Sequence, residues 1–200
     1  VHRAIVQGME LSSAIPTAGD LFKQAVRGID EDQLGAQTPC SEYDVRALFN
    51  HVLYWAPVLE AGATKADPPT DRPGERETDL VGEDWRAQLT GTVDTLVAAW
   101  SAPQAWEGTG KFGGAELPAS MLGTMLFTDL TVHSWDLTRV SGADCAVPEE
   151  LGTQLLSVAE QLAPQGRKGG AFGEEVTVPQ DAPPFERALG LLGRDPAWSR

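Results

Sequence analysis

The sequence predicts an all-α fold, a helical bundle with one long crossover. Three observations predict it. Apolar residues recur at spacings of three and four through most of the chain. Helix-boundary residues punctuate those stretches. A polar, Pro- and Gly-rich segment over residues 66–82 is too long for a tight turn between neighbouring helices.

Each element follows from local chemistry. Over residues 14–29, Ala18, Leu21, Phe22, Ala25, Val26 and Ile29 form one amphipathic stripe, and Asp30-Glu31-Asp32 resembles the start of a short capped turn. Pro39 blocks a helix from extending backwards, and Ser41 with Asp44 three residues on is a candidate capping box. The second helix then carries Val45, Leu48, Phe49, Val52 and Leu53 at core spacing, with His51 at the edge of that stripe. After the 66–82 connection, a third helix runs from about residue 83 to 100, with Trp85, Leu89, Val93, Leu96 and Trp100 on one face. Residues 101–116 contain four glycines and suit a short hairpin. Pro118 favours the first turn of a fourth helix, which ends near Val140 with Gly142 as its stop. A fifth helix over residues 148–162 leads to a Gly-rich loop, a strand-like Glu175-Val-Thr-Val178 and a short helix over 184–192. The expected organisation is one domain over residues 9–200, with the bundle at about 14–142 and an extension at about 148–198. The first eight residues carry no weight in this reading.

Net charge is −14 with a pI of about 4.5. Such a surface repels nucleic-acid backbones and anionic lipid, so neither is an expected partner. No apolar run approaches the roughly 20 residues that span a bilayer, and no signal peptide is visible. Only Cys40 and Cys145 are present. That is sparse for a disulfide-built secreted domain, so a reducing cytoplasm and two separate thiols are the expectation, although sequence leaves a Cys40–Cys145 bridge open.

The chemistry-bearing residues are few. The three histidines are His2, His51 and His133. Asp129 and His133 stand at i and i+4, on one helical face, and Asp136 continues the stripe at i+7. His51 from a second helix could complete a three-ligand, open metal site. The plain alternative is a helix-surface pair or, since Met125, Leu126, Leu130, Val132 and Trp135 mark the helix as buried, a hydrogen-bond network that compensates the carboxylate; residue spacing alone leaves the metal and non-metal readings balanced. Glu10 or Asp136 as a fourth ligand would close the site. Cys40, near a helix start, is a weak candidate nucleophile. Arg46 and Arg139 could hold an anion but more commonly make surface pairs. Trp55, Trp85, Trp100 and Trp135 read as core.

Two segments carry a family resemblance. Thr38-Pro-Cys-Ser-Glu-Tyr-Asp-Val-Arg-Ala-Leu-Phe-Asn-His51 and Asp129-Leu-Thr-Val-His133-Ser-Trp-Asp-Leu137 resemble motifs of the DinB-like metal-binding superfamily. Within it they are similar to the mycothiol-dependent maleylpyruvate isomerase-like proteins of actinobacteria. The tail Ala188-Leu-Gly-Leu-Leu-Gly-Arg-Asp-Pro-Ala-Trp198 looks like the ending of one subgroup, so the resemblance spans about residues 14–198. It implies a DinB-like four-helix bundle of up-down-down-up connectivity with a small C-terminal α/β extension. It also implies a divalent metal held by His51, Asp129 and His133. The isomerase has Glu where this chain has Asp129, one methylene shorter. Asp136 then orients His133 or a neighbouring group.

The function expected on this basis is a metal-dependent enzyme that activates a low-molecular-weight thiol, mycothiol, for isomerase or S-transferase chemistry on a small electrophile. Zinc is the first choice, with Ni2+, Mn2+ or Fe2+ as alternatives for the same ligands. A monomer or weak homodimer is the default. The competing readings are a metal-dependent hydrolase and a non-catalytic metal- or ligand-binding helical module. Protease and serine-hydrolase readings lack their HExxH and Gly-x-Ser-x-Gly motifs.

Overall fold

The computed structural model of the chain describes residues 2–144 and 146–200, with side chains from Leu11 onward. Among them are six α-helices: α1 (His2–Arg27), α2 (Val45–Thr64), α3 (Trp85–Trp100), α4 (Ala119–Ser141), α5 (Glu149–Lys168) and α6 (Pro184–Leu191). One antiparallel pair, β1 (Thr109–Phe112) and β2 (Ala115–Pro118), completes the regular structure. Cys145 lies outside the described residues, as do the side chains of His2 and Glu10. The questions of a Cys40–Cys145 bridge and of Glu10 as a ligand rest there.

Side-chain contacts set the direction of each helix. Phe49 stacks on Trp85 at 4.9 Å, and Trp100 Nε1–H donates to the Leu59 carbonyl at 3.0 Å, so α2 and α3 run parallel. Lys23 pairs with Asp94, and Arg86 reaches the Ile29 carbonyl, so α1 and α3 run antiparallel. Gly28 at the end of α1 lies against Ser141 at the end of α4, so those two are parallel. The result is the up-down-down-up bundle expected above. Because α2 and α3 are parallel, the chain must return along a 20-residue helix, a distance of about 30 Å, and residues 65–84 do so.

Several boundaries differ from the sequence reading, each for a physical reason. Helix α1 begins well before residue 14 and passes through Pro16. An interior proline costs a helix about 3 kcal/mol, but Leu11, Ile15, Ala18 and Phe22 form one buried stripe through that turn, and their packing outweighs it. Helix α5 likewise continues past Leu162 and through Pro164 to Lys168, with Ala163 fully buried. The cap of α2 is Asp44 and not Ser41: its carboxylate accepts from the Ala47 N–H at 2.8 Å. Thr38 Oγ1 fixes the turn before it, donating to the Tyr43 carbonyl and accepting from the Cys40 N–H.

The expected hairpin is β1–β2. Gly113 and Gly114 both have positive φ, 56° and 82°, which suits the tight primed turn of a two-residue loop. The extended segment at 175–178 forms no ladder. A backbone bond from the Val176 N–H to the Gly190 carbonyl docks it against α6. No described helix is long and apolar enough to cross a membrane.

Candidate metal centre

Helices α2 and α4 are antiparallel neighbours, with His51 facing Asp129 and Gly62 facing Leu122. That pairing brings His51, Asp129 and His133 together, with one donor atom from each within 4.8 Å of the others. His51 Nε2 is 4.0 Å from Asp129 Oδ2, and the two imidazole rings stand edge to face with centroids 5.6 Å apart. Zinc binds nitrogen and carboxylate ligands at about 2.0–2.2 Å, which sets tetrahedral donors roughly 3.4 Å apart. The trio, with all donors within 4.8 Å, comes within about 1.4 Å of that spacing. Two imidazoles and a carboxylate are also the donor chemistry that zinc, nickel, manganese or iron takes. Among the described residues this is the one cluster of such donors. Asp136 is not part of it.

Each imidazole is held from behind by a carboxylate. His133 Nδ1 meets Asp136 Oδ2 at 2.8 Å. Asp136 is completely buried and pairs with Arg194, whose Nη2 lies 3.2 Å from Oδ2. Burial alone would raise the Asp136 pKa; Arg194 and His133 outweigh it and hold the carboxyl below its ordinary value. An ionised carboxylate only accepts, so the His133 Nδ1 carries the proton and Nε2 is left with its lone pair.

His51 has the same arrangement with a different partner. Its Nδ1 is 2.9 Å from Oε1 of Glu75, which stands in the 65–84 crossover. Trp55 Nε1–H donates to the other carboxylate oxygen at 2.8 Å. The Tyr43 hydroxyl oxygen lies 3.1 Å from the same His51 Nδ1. Burial pushes the Glu75 carboxyl up, but the hydrogen bond and charge of His51, then Trp55 and Tyr43, bring it down to about 2. Burial disfavours protonated His51, yet Glu75 and then Asp129 more than offset this and raise its pKa. Tyr43 is pushed up by burial first and by the Glu75 charge second.

The remaining sequence candidates have other roles. Cys40 is 7% exposed, and burial raises its thiol pKa despite the nearby Arg194 charge, which is the reverse of an activated nucleophile. Arg46 is engaged by Asp79 and the Val81 carbonyl, and Arg139 by the Trp198 carbonyl. Neither is available for an anion. Trp85, Trp100 and Trp135 are core, whereas Trp55 is half-buried and bonded to Glu75. Sequence reasoning assigned no role to Glu75, Tyr43 or Arg194. Arg194 lies in the tail motif quoted above, and Tyr43 in the first motif, so both were within reach. Glu75 carries no local signal at all.

With this geometry in place, comparison with known proteins is decisive for the family. Residues 15–138 match the family model described as the mycothiol maleylpyruvate isomerase N-terminal domain. The chain belongs to the mycothiol maleylpyruvate isomerase family. Two uncharacterized proteins of Mycobacterium tuberculosis, from strains H37Rv and CDC 1551, are 29% identical over 190 residues, spanning 88% of this chain and 93% of theirs. Among solved structures, the mycothiol-dependent maleylpyruvate isomerase shares the fold with a TM-score of 0.58 at 17% identity. A point mutant of it gives 0.59 at 18%. Both alignments cover 98% of this chain and 82% of the isomerase. These structures support the fold; at such identity they carry no residue assignments.

Proposed function

We propose that the chain is a divalent-metal-dependent enzyme that uses mycothiol for isomerase or S-transferase chemistry on a small electrophile. The observation that carries this reading is the convergence of His51, Asp129 and His133, with both histidine Nδ1 atoms held by carboxylates, in a chain of this family. His51 Nε2, the Asp129 carboxylate and His133 Nε2 are the ligands, and zinc is the first choice, with nickel, manganese or iron as alternatives. A metal held there supplies a Lewis acid that lowers the pKa of a thiol arriving at its open position.

The protein's own groups supply the rest. Asp129 has a third of its side chain exposed, so the cluster is reachable by small molecules. Arg194 is 7% exposed, and its fixed positive charge acts on both His51 and Asp129. The Asp136 carboxylate fixes the His133 tautomer. We take the protein to act in the cytoplasm as a single domain over residues 9–200, in monomeric or weakly dimeric form.

The test is turnover. Protein reconstituted with zinc, nickel or manganese is incubated with mycothiol and a panel of small unsaturated acids, maleylpyruvate included. The reading expects product formation that needs both metal and thiol and is abolished in His133→Ala. Metal-loaded, folded protein with no thiol-dependent turnover and no saturable mycothiol binding would leave a non-catalytic binding module.

A further inference from the structure

The reading above treats the crossover as a connection that topology requires. Its contacts say more. Residues 65–84 run back along α2 in a fixed register. Arg72 lies 3.6 Å from the centre of the Tyr54 ring, and Tyr54 Oη donates to the Pro73 carbonyl at 3.0 Å. Asn50 then clamps the strap at two points, donating from Nδ2 to the Glu75 carbonyl at 3.0 Å and accepting the Leu80 N–H at 2.8 Å. Asn50 is 8% exposed, so both its bonds are well shielded. Beyond it, Asp79 pairs with Arg46. The clamp leaves Glu75 no freedom to drift along the helix: its backbone is fixed by the residue next to His51, and its side chain ends on His51 itself.

Two donors converge on that carboxylate, one on each oxygen, from His51 and Trp55. The strap also leaves a cleft of about 350 Å³ against the first turns of α2, lined by Tyr43, Arg46, Asn50, Glu75 and Arg76. Glu75 therefore sits between that cleft and the histidine. A merely structural ion pair needs only one contact with its partner. Here the carboxylate is oriented by a further donor, the Trp55 Nε1–H on its second oxygen, so that the first meets Nδ1.

We propose that Glu75 is a positioning residue for the metal centre: it keeps His51 in the Nδ1–H tautomer with Nε2 aimed at Asp129 and His133, making the crossover strap part of the site. This rests on the metal reading given under Proposed function. Outer carboxylates of this kind affect metal affinity by about 10- to 100-fold when removed. The coupling is reciprocal, because whatever favours the correct ring orientation also favours the docked strap. Metal uptake thus increases protection of the strap, and loss of Glu75 uncouples the two.

The experiment has three readouts on wild type, Glu75→Gln and Glu75→Ala. Zinc affinity is measured by competition with a chromophoric chelator. The His51 tautomer is read from imidazole nitrogen shifts in the metal-free protein. Amide exchange over residues 66–82 is compared with and without zinc. The expected result is a 10- to 100-fold loss of zinc affinity in Glu75→Ala, partial recovery in Glu75→Gln and a shift of His51 toward Nε2–H. Zinc-dependent protection of the strap is present in wild type and absent in Glu75→Ala. Should Glu75→Ala not fold, Glu75→Gln carries the test, because its single amide oxygen cannot replace both carboxylate oxygens and its NH2 would face either His51 or the Trp55 Nε1–H. A folded variant with wild-type zinc affinity and tautomer overturns the role of Glu75 and leaves the metal site standing. A wild-type protein that takes up no zinc, nickel or manganese overturns both.

Discussion

The two histidines of the cluster are held by carboxylates in contrasting ways. His133 and Asp136 are three residues apart on one helix, and Asp136 is fully buried and backed by Arg194. His51 and Glu75 are 24 residues apart, joined through a strap that crosses the bundle, and each has 17% of its side chain exposed. The first arrangement is rigid and expensive to disturb, since its charges are shut away from water. The second depends on docking of a segment with little core of its own. The same chemical device is therefore bound to global stability on one side and to local strap docking on the other.

That contrast can be broken first at its stronger end. Asp136→Ala leaves Arg194 buried without its carboxylate, a change that costs about 3–5 kcal/mol. Chemical denaturation is expected to show that loss in the metal-free protein. Asn50→Ala tests the weaker end. It removes both clamps on the strap, and the expected cost is about 1–3 kcal/mol. The effect should concentrate in amide exchange over residues 66–82 and spare the α1–α4 core; uniform loss of protection would contradict local docking. Phe112→Ala is the mildest of these substitutions. It removes a stacked partner of Trp55 at 4.7 Å, worth about 0.5–1.5 kcal/mol beyond burial.

Acid sharpens the comparison further. Glu75 ordinarily titrates at 4.5 and in the folded chain at about 2. Its contribution to stability is present above 4.5 and is lost as pH falls toward 2. Glu75→Gln should flatten that part of the stability profile. His51 has the opposite sign. Its folded pKa lies above the ordinary 6.5, so its contribution in the metal-free chain is complete below 6.5 and is lost as pH rises through the raised value. Metal needs the neutral ring, so zinc affinity is expected to fall on acidification through that same range. A chelator competition series from about pH 8 down to about pH 5 checks this.

The contrast also marks how far the residues could be read unaided. Asp129, His133 and Asp136 share a helical face that a 3.6-residue period reveals directly, and the parallel α2–α3 pair was implicit in the length of the 66–82 connection. The hairpin was legible from its glycines. The start of α1 and the end of α5 were misplaced, because helix continues before residue 14 in the one and past Leu162 through Pro164 in the other. Ser41 lost the capping role to Asp44, whose carboxylate is the one that reaches the free N–H of Ala47. Glu75 was invisible: an acidic residue in a polar loop has no periodicity, and only the register of the strap on α2 brings it to His51. Arg194 stood within the quoted tail motif, but only the fold pairs it with Asp136, 58 residues away.

Elemental analysis of the purified, untagged protein beside a His51→Ala/His133→Ala double variant tests the central claim most directly. The account predicts about one divalent metal per chain in the parent, and none in a folded double variant. A metal-free, folded parent that binds no zinc, nickel or manganese on titration would contradict it.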